Sequence, residues 1–244
     1  MATLVDCPKS NLGEWRFGLL GVPVGVKWWF WAACLLTSYV TQATTGGILI
    51  WIAVCFGSIL LHEMGHVLAL RTAGAGADVV LYGWGGLTIP ERPVRSPVRG
   101  VLIALAGSAA SLCAAGLVIA AAAASGMHIL FAWRMLIPEI SVIPASGILQ
   151  PDNLIRLLLN ALVQVNFYWG LANLLPVYPL DGAHAVRAVF ECTDPYNGRR
   201  RSFILSIATA SGIVLVGVLD QAAYLAIVFA VLAIASFQGL DEGK

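Results

Sequence analysis

The sequence predicts an all-α polytopic membrane protein of about six transmembrane helices, with a three-helix core and a short β-hairpin on the cytoplasmic side. Three observations predict it. Of 244 residues, 59% are hydrophobic and only 11% charged, against roughly 25% charged in soluble domains. Mean hydropathy is +0.84. Six runs approach the ~20 apolar residues that a spanning helix needs, and lysine and arginine fall very unevenly between them.

The runs are residues 26–44, 48–71, 98–124, 155–177, 203–219 and 222–238. The first carries Trp28, Trp29 and Trp31, which suit an interfacial anchor. After the second comes GAGADVVLYGWGGLTIPERPVRSP, whose β-branched DVVLY and glycine pairs predict the hairpin. The third run presents a face of small residues, Ala104, Gly107, Ser108, Ser111 and Ala115, suited to close helix packing. Residues 125–154 are apolar but broken by Pro138, Pro144 and Pro151. They are expected to form a loop with interfacial pieces and no seventh span. Pro176 and Pro179 end the fourth run, and a tight turn near Asp220 joins the last two. One domain is expected over 1–244, its core about 48–184, with a C-terminal helix pair at 203–238.

With the N-terminus inside, the inner segments collect Lys9, Arg16, Lys27, Arg71, Arg92, Arg95, Arg99, Arg187, Arg199, Arg200, Arg201 and Lys244, whereas the outer ones keep only Arg134 and Arg156. This bias predicts cytoplasmic termini in a bacterial inner membrane, with Arg199 to Arg201 meeting anionic lipid. The first residues lack a charged stretch followed by an apolar one, so no cleaved signal peptide is expected. A net charge of +1 excludes a broad nucleic-acid surface, and five cysteines without CxxC spacing support neither a disulfide framework nor a cysteine metal site.

Residues 57–70, GSILLHEMGHVLAL, set two histidines and a glutamate inside an apolar run. Ionisable groups are costly there and mark functional sites. His62 and His66, four apart, share one helix face, and Glu63 lies beside them without having to be a ligand. This is the H-E-x-x-H pattern. A catalytic zinc takes three protein ligands and keeps one open position. The acid placed to be the third is Asp181, in NLLPVYPLDGAH at residues 173–184. The fourth run ends on the same side as the histidines, Gly182 allows a sharp turn, and unwound backbone at membrane depth is tolerated where it lines a buried cavity.

HEMGH together with N-x-x-P-x-x-P-L-D-G resembles the site-2 protease family of intramembrane zinc metalloproteases, in its compact bacterial form without an appended PDZ or CBS domain. The resemblance covers about residues 20–190. It implies one Zn²⁺ per chain on His62, His66 and Asp181, with Glu63 as catalytic base and runs two to four as the catalytic core. It implies that Asn173 helps hold substrate or intermediate, and that the YGWGGL hairpin lies near substrate, with Val80, Tyr82, Gly85 and Gly86 as its docking residues. The expected activity is hydrolysis of a peptide bond in or beside the membrane, on a single-pass membrane-protein substrate, as in regulated intramembrane proteolysis. The family often carries G-P-x-x-N in the third helix, where this chain has AGSAAS, with Ser108 and Ser111 at the proline and asparagine positions.

Other readings differ in chemistry. A catalytically silent relative would bind membrane proteins as a scaffold, but it would not need an intact HExxH and Asp181. A diiron desaturase or hydroxylase needs many histidines, and the chain has four. Asp181 could be ordinary Asp-Gly turn chemistry, Asn173 a helix-packing hydrogen bond, and His184 a solvated loop residue or a neighbour of the site. His128 falls on the far side of the membrane and takes no role.

Overall fold

A computed structural model describes residues 13–41, 44–94, 96–134, 137–143 and 154–241. The chain begins with a strand pair, β1 (Glu14–Leu19) and β2 (Val22–Lys27), then α1 (Trp28–Thr41) and α2 (Thr45–Thr72). The expected hairpin follows as β3 (Ala77–Tyr82) and β4 (Gly85–Pro90), then α3 (Pro97–Ala124), and a second strand pair, β5 (His128–Arg134) and β6 (Ile137–Ile143). The remainder is helical: α4 (Leu154–Asn173), α5 (Asp181–Thr193), α6 (Gly198–Leu219) and α7 (Ala223–Asp241).

Five of these helices, α2, α3, α4, α6 and α7, are long and apolar enough to cross a membrane. The run at 26–44 is different. Its first residues belong to β2, where Val22, Val24 and Val26 favour a strand and Pro23 and Gly25 disfavour a helix. Leu20 and Gly21 between the strands both take positive φ, +50° and +75°, as a two-residue hairpin turn requires. What remains is α1, 14 residues and therefore about 21 Å long, short of a ~30 Å hydrocarbon core. It runs antiparallel to α2: Trp31 stacks on Phe56 at 5.3 Å, while farther along α1 the Thr37 hydroxyl accepts from Trp51 Nε1 at 3.1 Å.

Four strands form one sheet in the order β1-β2-β3-β4. The β2–β3 pairing is parallel and the other two are antiparallel. β3 is therefore an interior strand. Val80 faces Gly25 of β2 on one side and Leu87 of β4 on the other, which corrects the expectation that Val80 offers a docking edge. Tyr82 also lies on β3, opposite Gly85, so the edge strands of this sheet are β1 and β4, and β4 is the one that lies against Glu63. The sheet packs on the C-terminal half of α2, with Val22, Val24, Val26, Val79 and Leu81 in one core with Val67 and Leu70.

The chain is thus not purely α. Residues 128–134 and 137–143 also depart from the expected loop, since β5 and β6 pair in register from His128↔Ile143 to Arg134↔Ile137; residues 135–136 and 144–153 of that loop lie outside the described residues. The hairpin is pinned by Asn160 of α4, whose amide accepts from Val142 N at 2.8 Å and donates to Val142 O at 2.9 Å. The helix bundle closes on small residues. The buried face of α3 is Ala104, Gly107, Ser108, Ser111, Ala115 and Ala122, the face expected from sequence plus one further residue. A Cβ on Gly65 of α2 would stand 2.6 Å from the Ala106 carbonyl, so α2 and α3 meet with no room for a side chain at that point.

Candidate metal centre

His62, Glu63 and His66 lie in the C-terminal half of α2 and are all buried. Their helix is apolar over most of its length and opens at Thr44, whose hydroxyl accepts from Gly47 N at 3.1 Å. Asp181 reaches them from another element. After α4 stops at Asn173, residues 174–180 turn the chain, and Asp181 is the first residue of α5. A Cβ on Gly182 would stand 2.2 Å from the Leu174 carbonyl and 2.4 Å from that of Leu175. Only glycine lets α5 begin so close to the end of α4, and this delivers the carboxylate.

Three ligand-type atoms converge. Asp181 Oδ2 is 2.9 Å from His62 Nε2 and 3.3 Å from His66 Nε2, and the two Nε2 atoms are 3.3 Å apart. Atoms bound at about 2.0–2.1 Å to a tetrahedral zinc stand about 3.3 Å from one another, so the triangle fits that ion. The far ring nitrogens support the fit. His66 Nδ1 lies 2.7 Å from the Ile103 carbonyl, which can only accept, so Nδ1 carries the proton and Nε2 of the neutral ring keeps a lone pair. His62 Nδ1 lies 3.1 Å from Ser111 Oγ, a hydroxyl that can accept in the same way. The space beside the triangle is kept by Gly107, where a Cβ would stand 2.3 Å from His66 Nε2 and 2.7 Å from His62 Nε2.

Glu63 faces β4. Its Oε2 accepts from the Thr88 hydroxyl at 2.7 Å, and a Cβ on Gly86 would stand 2.3 Å from its Oε1. Ligand-type atoms of His62, Glu63 and His66 also fall within 4.8 Å of one another. Asp181 makes the tighter set, because a single oxygen approaches both histidines, whereas one oxygen of Glu63 is already engaged by Thr88.

The structure brings together His62, His66, Asp181, Glu63 and Gly86. Gly85, at φ +129°, packs its α-carbon against the Trp169 ring, and Trp169 in turn meets the His62 ring edge to face at 6.4 Å. Asn173 is buried and donates to the Trp169 carbonyl one turn back at 2.9 Å, a bond within its own helix. His184 lies against the Tyr178 ring, 6.2 Å between centroids. Sequence reasoning misses Thr88 and the Ile103 carbonyl. Thr88 has a signal, since strand alternation puts residues 86 and 88 on one face. A backbone carbonyl leaves none.

Comparison with known proteins agrees with this architecture. The chain belongs to peptidase family M50, the site-2 protease family of zinc metalloproteases, whose family model matches residues 50–216. By family and by its five apolar helices it is an integral multi-pass membrane protein. It is similar to the Rip3 protein of Mycobacterium tuberculosis, named as a zinc metalloprotease, with 29% identity over 186 residues, 70% of this chain and 42% of that one. A Synechocystis protein named as a zinc metalloprotease is 25% identical over 142 residues, 58% of this chain and 31% of that one. The chain therefore spans less than half the length of either relative. The fold matches the site-2 protease from Methanocaldococcus jannaschii, with TM-score 0.60 and 18% identity over 93% of this chain and 95% of that one.

Proposed function

We propose that the chain is an intramembrane zinc endopeptidase that cleaves single-pass membrane proteins within or beside the bilayer. One observation carries the reading: two imidazole nitrogens and one carboxylate oxygen form a triangle with edges of 2.9, 3.3 and 3.3 Å inside an apolar helix bundle, with a carboxylate at their side. His62, His66 and Asp181 would hold one zinc per chain. When bound, the zinc supplies Lewis acidity that makes water a nucleophile near neutral pH and polarises a carbonyl.

The chain's own groups do the rest. Glu63 takes the proton of the attacking water and passes it to the departing amide nitrogen. The Ile103 carbonyl and Ser111 hold the two imidazoles in orientation. Helical peptide bonds are already hydrogen-bonded, so the substrate must unwind locally. The free edge of β4 beside Glu63 can receive the unwound stretch by strand addition through its main chain, while the missing side chains of Gly85 and Gly86 make room for Trp169 and Glu63. The strong asymmetry of lysine and arginine supports a cytoplasmic C-terminus and a site that opens to the cytoplasm beside the four-stranded sheet; both termini share that side only if α1, which runs antiparallel to α2, also carries the chain across. The whole of 1–244 acts as one membrane domain in this reading.

The test compares membrane proteomes of cells making the wild-type chain and Glu63→Gln. A single-pass protein that accumulates full-length only in the mutant, and that the purified wild-type chain cleaves, is the expected result. Identical proteomes, with no cleavage of transmembrane substrates by the purified enzyme loaded with zinc, would favour a scaffold instead.

A further inference from the structure

We infer that Thr88 is the positioning residue of Glu63, so that the strand offered to substrate also sets the base. The inference rests on the proposed role of Glu63. Strand geometry makes the case. Residues 86 and 88 of β4 point to the same side, and both meet Glu63: the glycine leaves space at Oε1, and the threonine hydroxyl donates to Oε2 at 2.7 Å. The same hydroxyl also lies 3.3 Å from the Glu63 backbone carbonyl. A single hydroxyl proton cannot serve both fully, and the shorter contact is the carboxylate. The Glu63 carboxylate is thus oriented with Oε2 occupied and Oε1 beside a residue with no side chain.

β4 pairs only with β3 among the described residues, and the next residue on its opposite face, Gly85, rests on Trp169. A peptide adding to the free edge of β4 extends the backbone that carries Thr88. Any shift or tightening of that strand is therefore transmitted to the base through one hydrogen bond. The metal ligands are supported differently, their ring nitrogens being held from α3. The arrangement separates the two jobs: α3 and α5 govern the metal set, and β4 governs the proton carrier.

The test uses the full chain in liposomes loaded with zinc and an internally quenched transmembrane peptide carrying a Gly-Pro helix break. Thr88→Val keeps β-branching and removes the hydroxyl; Thr88→Ala removes it in a smaller side chain; Thr88→Ser restores it. A hydrogen bond to a charged group justifies a loss on the order of 10- to 100-fold. The expected result is that loss in kcat for Val and Ala, with KM within about twofold of wild type and zinc content unchanged, and recovery to within about threefold for Ser. In a Glu63→Gln background, Thr88→Val should cost little more, because the two residues act as one unit. Wild-type kcat in the hydroxyl-free variants that retain zinc would overturn the inference, as would equal losses for Ser and Val. If Glu63→Gln itself cleaves at wild-type rate, the reading of Glu63 as base has failed instead.

Discussion

Gly107→Ala places one methyl group where the metal set meets α3. The new Cβ would stand 2.3 Å from His66 Nε2 and 2.7 Å from His62 Nε2, whereas ordinary contact begins at 3.4 Å; the first overlap is therefore about 1 Å. The histidines cannot turn away freely, since Ile103 and Ser111 hold their other nitrogens. α3 cannot retreat cheaply either, because α2 and α3 touch closely at Gly65 and Ala106. Overpacking of this kind costs about 1–3 kcal/mol. Alanine is the better helix former by nearly 1 kcal/mol, so the folded chain should survive. The metal site should not. Altering a group that merely orients a ligand costs roughly 10- to 100-fold in affinity, and intrusion on two ligand atoms at once should reach or exceed the upper figure. The assay is zinc occupancy over a series of chelator-buffered free zinc concentrations. Gly116→Ala on the same helix is the control, since a Cβ there meets nothing within 4 Å. Wild-type zinc affinity in Gly107→Ala would refute the reasoning about where the metal sits.

Gly86→Ala pushes on Glu63 Oε1 from 2.3 Å; turnover should fall at least tenfold with zinc retained, measured by cleavage beside atomic spectroscopy. Ser111→Ala removes the partner of His62 Nδ1 and should weaken zinc binding by roughly 10- to 100-fold in a chelator competition. For orientation, single cysteines are introduced into a cysteine-free chain: one at Leu130 should react with an impermeant maleimide in intact cells, and one at Arg92 only after lysis. The reverse pattern would turn the site outward.

The helices, and the residues gathered in the candidate site, are largely legible in sequence because both obey strong local rules. An i, i+4 histidine pair in an apolar run is too costly to keep without a ligand or a buried partner, and Asp181 followed by Gly182 marks a turn whose tightness the structure accounts for. The small-residue face of α3 follows from helical period. Strands are harder. In EWRFGLLGVPVGVK the apolar alternation merges into the tryptophan-rich run that follows, and its turn uses Leu-Gly rather than a strong hairpin dipeptide, so the end of β2, Val26 and Lys27, reads as the start of a span. Val80 misleads through its neighbours: a hairpin has two free edges, and β2, distant in sequence, covers one of them. β5 and β6 are masked by prolines that suggest only a loop. Ser111 is visible as a departure from the family pattern, but its bond to His62 depends on helix rotation, which sequence does not specify.

The most direct test of the central assignment is bound zinc per chain, read beside cleavage, in purified Asp181→Ala and Glu63→Gln. Both carboxylates lie near the histidines, and only one is assigned to the metal. The account predicts that Asp181→Ala loses zinc and activity together, whereas Glu63→Gln keeps close to one zinc and cleaves on the order of 10²- to 10⁴-fold more slowly. Zinc lost from Glu63→Gln and kept by Asp181→Ala would reverse the two roles and contradict the account.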